Sequence, residues 1–416
     1  MELTIHQTSI PVDSLSQQES LREHITKRTA SAGREDVEDP FYVVDLGRLI
    51  ELYQDWVTAM PSVTPFYAVK CNEDPALLKT LAALGTGFDC ASKHEMSVVL
   101  DLGVPPERVV YANPCKQTSH IQYAAQRGVK MMSFDNTAEL HKTHKHFPTA
   151  ELMLRIKADA PDCVGKPGFK FGCTTAEGKQ LLDTAKALGL NVIGVSFHVG
   201  SRCQTPSAYE VALKVAAELF DYGAKIGYQF SLLDIGGGFP GQAGSRDMFH
   251  SVASAINQTL ASLFSPEAHP GVRFIAEPGR YFACSTHTIV VNIISKRSCD
   301  IVEGGEGPKF MYYINGGIYG SFNCVLNDRA APVPIPVKEV DAIVHQSRLW
   351  GVTCAGRDKI CDALLPEFEV GDWLCFEDMG AYTISSATCF NGFPKAAPYY
   401  YVRENTIDQF KQVHEQ

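Results

Sequence analysis

One lysine in this chain has an evident chemical use. Pro65-Phe66-Tyr67-Ala68-Val69 is apolar, aromatic and β-branched, and it delivers Lys70 at its C-terminal end, ahead of Cys71-Asn72. Burying an ammonium group is costly and lowers the pKa of the amine. A neutral lysine amine is the nucleophile that forms Schiff bases. A strand that merely surfaces at Lys70 would leave the same amine in water, so the remaining polar residues must decide between the two.

Those residues depend on the elements that carry them. Strand-like runs lie near 65–70, 86–91, 108–113, 130–134, 151–157, 191–199, 230–236 and 272–277. Helix-like segments separate them. Residues 75–84 start with proline and space their apolar positions near 3.6, and residues 206–222 read the same way. About eight β-α units over roughly 230 residues predict an α/β fold, a (β/α)8 barrel of the TIM type, over 46–283. A doubly wound sheet competes, because Gly236-Gly237-Gly238-Phe239-Pro240-Gly241 fits G-x-G-x-x-G after a strand. Residues 251–264 hold no acidic group to bind a ribose, which favours the barrel. Beyond Arg280 helical periodicity fades, and β-rich runs near 288–294, 310–314, 373–376 and 398–402 predict an all-β domain over 284–416, completed by 1–45.

In such a barrel the reacting groups sit at the C-terminal ends of the strands. Those ends read Lys70, Asp89, Asn113, Arg155, His198, Gly236-Gly237-Gly238, and Glu277 with Arg280. Glycines after the seventh strand allow close backbone approach to a phosphate, and Arg280 adds a forked donor. A phosphate at one rim and a lysine at the other suggest pyridoxal phosphate. Glu277 would face the pyridine nitrogen, and His198 would stack on the ring. Taken singly, His198 also suits a satisfied core histidine, and Glu277 with Arg280 a structural ion pair; it is their joint placement that carries the cofactor.

The bulk numbers agree with a small-molecule enzyme. A net charge of -10 argues against nucleic acid and acidic membrane surfaces, and no run approaches the length of a membrane helix. The thirteen cysteines are scattered, and the first forty residues carry no apolar run; reduced thiols and a cytoplasmic location are expected. The local run His141-Lys142-Thr143-His144-Lys145-His146 interleaves lysines that would repel a cation, and no metal is expected there or elsewhere.

Seven motifs resemble the eukaryotic ornithine decarboxylase family and its barrel-type, pyridoxal-phosphate-dependent relatives from about Phe41 to Tyr401. They are Phe66-Tyr67-Ala68-Val69-Lys70-Cys71-Asn72, Phe88-Asp89-Cys90-Ala91-Ser92, Val195-Ser196-Phe197-His198-Val199-Gly200-Ser201, Asp234-Ile235-Gly236-Gly237-Gly238-Phe239-Pro240-Gly241, Ala276-Glu277-Pro278-Gly279-Arg280, Tyr319-Gly320-Ser321-Phe322-Asn323-Cys324 and Asp378-Met379-Gly380-Ala381-Tyr382. The resemblance implies an amino-acid decarboxylase. Lys70 would bond the cofactor, Glu277 would hold the pyridinium, and His198 would pack on the ring, supported by Asp89 and Arg155. Ser201, Gly236, Gly237, Gly238, Arg280 and Tyr382 would hold the phosphate. It further implies a homodimer with shared active sites, in which Trp350-Gly351-Val352-Thr353-Cys354 comes from the partner and Cys354 helps return a proton.

Departures from the family gather where the far end of the substrate would lie. The family's aspartate after the catalytic cysteine is Ala355 here, and the tyrosine before Asp328 is Asn327. Asn327, Asp328, Ala355, Tyr319 and Phe390 are the candidate substrate residues. A hydrogen bond to a charged group contributes roughly 1.5–3 kcal/mol, so one lost carboxylate weakens diamine recognition about 10- to 100-fold. The expected substrate is therefore a neutral aliphatic amino acid such as leucine, with Asp358 a candidate replacement for the missing acid. The alternatives are an ornithine or lysine decarboxylase of polyamine synthesis and an inactive regulator resembling antizyme inhibitor. Binding of antizyme is doubtful, because Lys116 and Lys142 remain but Gln122 replaces a family lysine.

Overall fold

Eight parallel strands, Val63–Ala68, Gly87–Cys90, Val109–Tyr111, Met131–Phe134, Glu151–Ile156, Asn191–Phe197, Leu232–Asp234 and Arg273–Ala276, close into a barrel in the computed structural model. Ala276 on the last strand lies opposite Pro65 on the first, a closure that a doubly wound sheet lacks. The structure describes every residue except 6–7, 17, 31–37, 159–162, 164–166, 300–306, 340–341 and 416. The chain divides into two compact units, Glu51–Phe282 and the combination of Met1–Ile50 with Ala283–Gln416.

Inside the barrel Phe66, Val110, Ala112, Met131, Met153, Ile193, Leu232 and Ile275 form one apolar cluster. Register fixes what lies above it. Met153, Gly194 and Leu232 are mutual partners on strands five to seven, and two residues further on Arg155, Ser196 and Asp234 are partners in turn. Side chains alternate across a strand, so all six share the interior face. The interior thus changes from apolar to polar toward the C-terminal ends of the strands.

Most of the expected strand runs extend one or two residues past the point where the strand stops. Lys70 is not on the strand but in a 3-10 turn, Val69–Cys71. The turn is pinned: Tyr67 Oη donates to the Asn72 carbonyl at 2.9 Å, and the Asp74 amide donates to Asn72 Oδ1 at 2.9 Å. Asp74 then caps helix Pro75–Leu84 by accepting from the amides of Ala76 and Leu77, both at 3.0 Å. The expected helix 206–222 continues to Lys225.

Asp55 ties helix Leu46–Ala59 to helix Arg246–Leu263. Its Oδ1 accepts from Arg246 Nη2 at 2.9 Å and lies 3.1 Å from His250 Nε2. Asp55→Ala is expected to destabilise this unit by about 1–3 kcal/mol, read as a lower denaturant midpoint at unchanged slope.

The second unit is a ten-stranded sheet. Its main path runs Glu2–Ile5, Thr8–Leu15, Ala397–Arg403, Phe41–Asp45, His287–Ser298, Phe310–Ile314, His345–Trp350 and Lys359–Leu365. It is not purely β: helices Leu21–Ala30 and Ile407–His414 bury Ile25 and Phe410. The strands at 345 and 359 lacked an apolar signature. Their pairing is marked by charge instead, with Arg348 opposite Asp362 and its Nε 2.6 Å from Oδ1.

Candidate active site

A cavity of about 360 Å³ opens among the barrel's C-terminal strand ends, lined by Lys70, Asp89, Ala91, Ala112, Asn113, Pro114, Arg155, Lys170, Phe171, His198, Gly200, Ser201 and Glu277. Six of the sequence-derived cofactor residues therefore share one space. Lys70 Nζ forms a short ion pair with Asp89. The lysine side chain keeps 40% of its surface exposed while the aspartate keeps 1%. The amine thus stands on a buried carboxylate and faces an open cavity.

The ring of titratable groups is unevenly charged. Burial pushes the His198 imidazole down to about 3, helped by the Arg155 and Lys70 cations. His198 is therefore neutral at working pH, and its Nδ1 accepts from the Gly200 amide at 2.9 Å. Burial also drives the Glu277 carboxyl well up, with the Asp234 and Asp89 carboxylates adding to the shift. A bound cation facing Glu277 would relieve that penalty.

The backbone beside this cavity is shaped for a group that approaches closely. Gly236 and Gly238 adopt φ of +64° and +113°. A Cβ on Gly236 would lie 1.9 Å from the Phe197 carbonyl oxygen, and one on Gly237 2.7 Å from that of Glu277. Tyr209 Oη holds the Gly237 carbonyl at 3.0 Å, and the Cys203 amide holds that of Gly238 at 3.1 Å. Arg280 is buried, and its Nη2 donates to Ser201 Oγ at 3.2 Å. Gly-rich backbone, a hydroxyl and a guanidinium together fit a phosphate, and Lys70, His198 and Glu277 fit a pyridine aldehyde. Gly236→Ala is expected to weaken pyridoxal phosphate binding about 10- to 100-fold, measured by fluorescence titration.

The remaining candidates lie in the sheet unit. The Tyr319 and Phe390 rings lie with centroids 4.5 Å apart, tilted by 30°, and line one small pocket with Val352 and Thr353. Cys354 is exposed next to that pocket, its amide donating to Asn391 Oδ1 at 3.2 Å, and Ala355 follows it. Asn327 is exposed and Asp328 buried, and neither lines the pocket. Tyr382 has φ of +55°, a strained conformation for a tyrosine. Asp358 does not replace the missing acid. It is buried and accepts from the Ile318 amide at 2.8 Å, the Thr353 amide at 3.0 Å and Thr353 Oγ1 at 2.5 Å.

Several residues had no assigned role in the sequence. Glu95 accepts from the Ala91 amide at 2.5 Å, and burial raises its pKa, which favours the neutral form. Phe171 stands at the cavity with the Arg155 guanidinium 5.3 Å from its ring centroid. Asp234 lies in a quoted motif, and its interior position follows from strand alternation. Lys116 is buried, with Nζ 3.3 Å from Glu139 Oε2 and 3.1 Å from the Asn113 carbonyl, and Lys142 pairs with the same glutamate. His141 and His144 are exposed, and the described residues include no cluster arranged for a metal.

Residues 46–284 match the family described as pyridoxal-dependent decarboxylase, pyridoxal binding domain. The chain is 47% identical to ornithine decarboxylase of Rattus norvegicus over 91% of its own length and 84% of the rat protein. It is 46% identical to antizyme inhibitor 2 of Xenopus laevis, covering 87% and 81%. Among solved structures it resembles the arginine decarboxylase of Paramecium bursaria Chlorella virus bound to agmatine, with a TM-score of 0.86 and 34% identity over 91% of this chain and 100% of the viral one. With the barrel, the lysine and the phosphate cradle in place, the chain belongs to the pyridoxal-dependent decarboxylases, within the ornithine decarboxylase family.

Proposed function

We propose that this protein releases carbon dioxide from an L-amino acid to leave a primary amine, and that its preferred substrate is neutral and aliphatic, such as leucine. The cavity that joins Lys70, Asp89, Arg155, His198, Ser201 and Glu277 carries the reaction type. When bound, pyridoxal phosphate supplies the electron sink for the charge left as carbon dioxide departs. Lys70 would carry the cofactor covalently, with Asp89 orienting its amine. Ser201, Gly236, Gly237, Gly238 and Arg280 would hold the phosphate, while Glu277 would hold a proton at the pyridine nitrogen. His198, uncharged, would pack on the ring without opposing the pyridinium. Cys354 of the partner subunit or Lys70 would return the proton to Cα.

Substrate preference rests on Ala355. A distal ammonium would lose one carboxylate there, and Asp358, committed to Ile318 and Thr353, is unable to replace it. Tyr319 and Phe390 add an apolar wall. Ornithine or lysine remains the second reading, favoured by the buried Asp328 carboxylate. The active homodimer places 350–354 of each chain at the other's site. As for antizyme, Lys116 is committed to Glu139 inside the barrel unit and adds no surface charge, which speaks against that partner.

Borohydride reduction followed by peptide mapping tests the assignment of Lys70. The cofactor mass is expected on the Lys70 peptide, and attachment elsewhere contradicts the reading. Amine products from leucine, ornithine and lysine, identified by mass spectrometry, test the substrate class.

A further inference from the structure

A second cavity, of about 410 Å³, opens at the opposite end of the barrel from the active site, among the starts of strands one, two, three and eight. Alternation decides which side chains reach it. Phe66, Val110 and Ile275 belong to the apolar cluster inside the barrel. Thr64, Arg108 and Arg273 precede them by two residues, so they face inward below that cluster, and all three line the cavity. Register keeps this mouth open. Strand one pairs with strand eight from Val63 but with strand two only from Phe66, so Thr64 and Gly85 flank a gap. The Phe66 ring forms the floor, lying so close to Gly87 that a Cβ there would come within 2.4 Å of it. Val272 and Phe274 add an apolar wall.

The cations at this mouth are held in place but not neutralised. Arg108 Nη2 donates to the carbonyls of Ala82 at 2.8 Å and Thr86 at 2.6 Å, and its Nε donates to Thr86 again at 3.0 Å. These bonds fix the guanidinium and leave its Nη1 without a protein acceptor among the described residues. Burial pushes the Arg108 pKa down, and no carboxylate among the described residues pairs with it. Arg273 is exposed at the rim, and its guanidinium likewise has neither an acceptor nor an ion-pair partner among the described residues. Glu107 is the one acid in the lining, and it too is exposed. Two preset guanidinium groups above an apolar floor form a concave site suited to an organic anion.

We propose that the N-terminal mouth of the barrel is a binding site for a small aliphatic monocarboxylate. Arg108 Nη1 and Arg273 receive the carboxylate, with the hydroxyls of Ser62 and Thr64 beside them. The apolar body lies on Phe66, Val272 and Phe274. Glu107 opposes a second negative charge, which selects a monoanion over a dianion such as phosphate. Every lining residue belongs to the unit Glu51–Phe282, and the site is separate from Lys70 and the decarboxylase chemistry.

Isothermal titration calorimetry on the cofactor-saturated full chain tests this with three probes: 4-methylpentanoate, 3-methylbutan-1-amine and inorganic phosphate. Saturable binding is expected for 4-methylpentanoate and none for the amine, with phosphate at least about tenfold weaker than the carboxylate. Arg273→Gln is expected to weaken 4-methylpentanoate about 10- to 100-fold, while Lys70→Ala leaves its binding unchanged. Added salt should weaken it in the wild type, a measurement that stands even if Arg273→Gln fails to fold. No saturable binding of 4-methylpentanoate would overturn the proposal, as would binding that is indifferent to salt or to Arg273→Gln. Equal affinity for the amine would remove the anion from recognition, and equal affinity for phosphate would remove the apolar floor; either overturns the proposal. Binding lost in Lys70→Ala would place the probe in the active site and overturn it as well. A chain that holds no pyridoxal phosphate contradicts the proposed function instead, and the same titration still decides this site.

Discussion

Lys70→Ala is expected to purify without the visible absorbance of the bound cofactor and to decarboxylate every amino acid at least about 10³-fold more slowly than the wild type. The size of the effect follows from the position of the amine. Lys70 stands in a pinned 3-10 turn, its Nζ on a buried carboxylate and its face on the cavity, so no other described lysine shares its geometry there. The nearest competitor, Lys170, lines the same cavity but lies 4.8 Å from the Phe171 centroid. Spectra and single-turnover carbon dioxide release check this. A coloured and active Lys70→Ala would remove the lysine from the reaction. Folding is not expected to fail, since Asn72 and Asp74, not the amine, hold the turn.

Ala355→Asp is expected to raise kcat/KM for ornithine relative to leucine by about 10- to 100-fold, the value of roughly 1.5–3 kcal/mol for one hydrogen bond to a charged group. The position follows Cys354 in the turn after strand His345–Trp350, and the substitution adds a carboxylate without displacing a core side chain. It restores the acid that a distal ammonium needs, and it does so beside Asp358, whose three hydrogen bonds leave it no role in recognition. Steady-state rates on both substrates check the shift. An unchanged ratio would show that this position does not read the side chain.

The barrel was legible because alternation and length act locally. Eight apolar runs separated by amphipathic helices admit few closures, and Asp74, Pro75 and Gly85 mark one helix from cap to end. What local pattern could not give was the exact point where a strand stops. Lys70, His198, Gly236 and Glu277 each lie one or two residues beyond their strands, because their backbones turn out of the ladder to present a side chain or an amide. Asp234 was visible as a letter in a motif, and its wholly buried interior position arises from the register of strands five to seven. Asp358 failed in the opposite direction. Its charge and proximity to Ala355 in sequence suggested recognition, and only the three donors around it reveal a structural role. Strands His345–Trp350 and Lys359–Leu365 were hidden because His345, Gln346, Arg348, Lys359 and Asp362 interrupt their apolar residues, and the second lies at one edge of the sheet.

The most direct test is the rate of carbon dioxide release from L-leucine and L-ornithine by the cofactor-saturated protein under identical conditions. The account predicts a kcat/KM for leucine at least about tenfold above that for ornithine. Ornithine turned over faster than every neutral amino acid would contradict it.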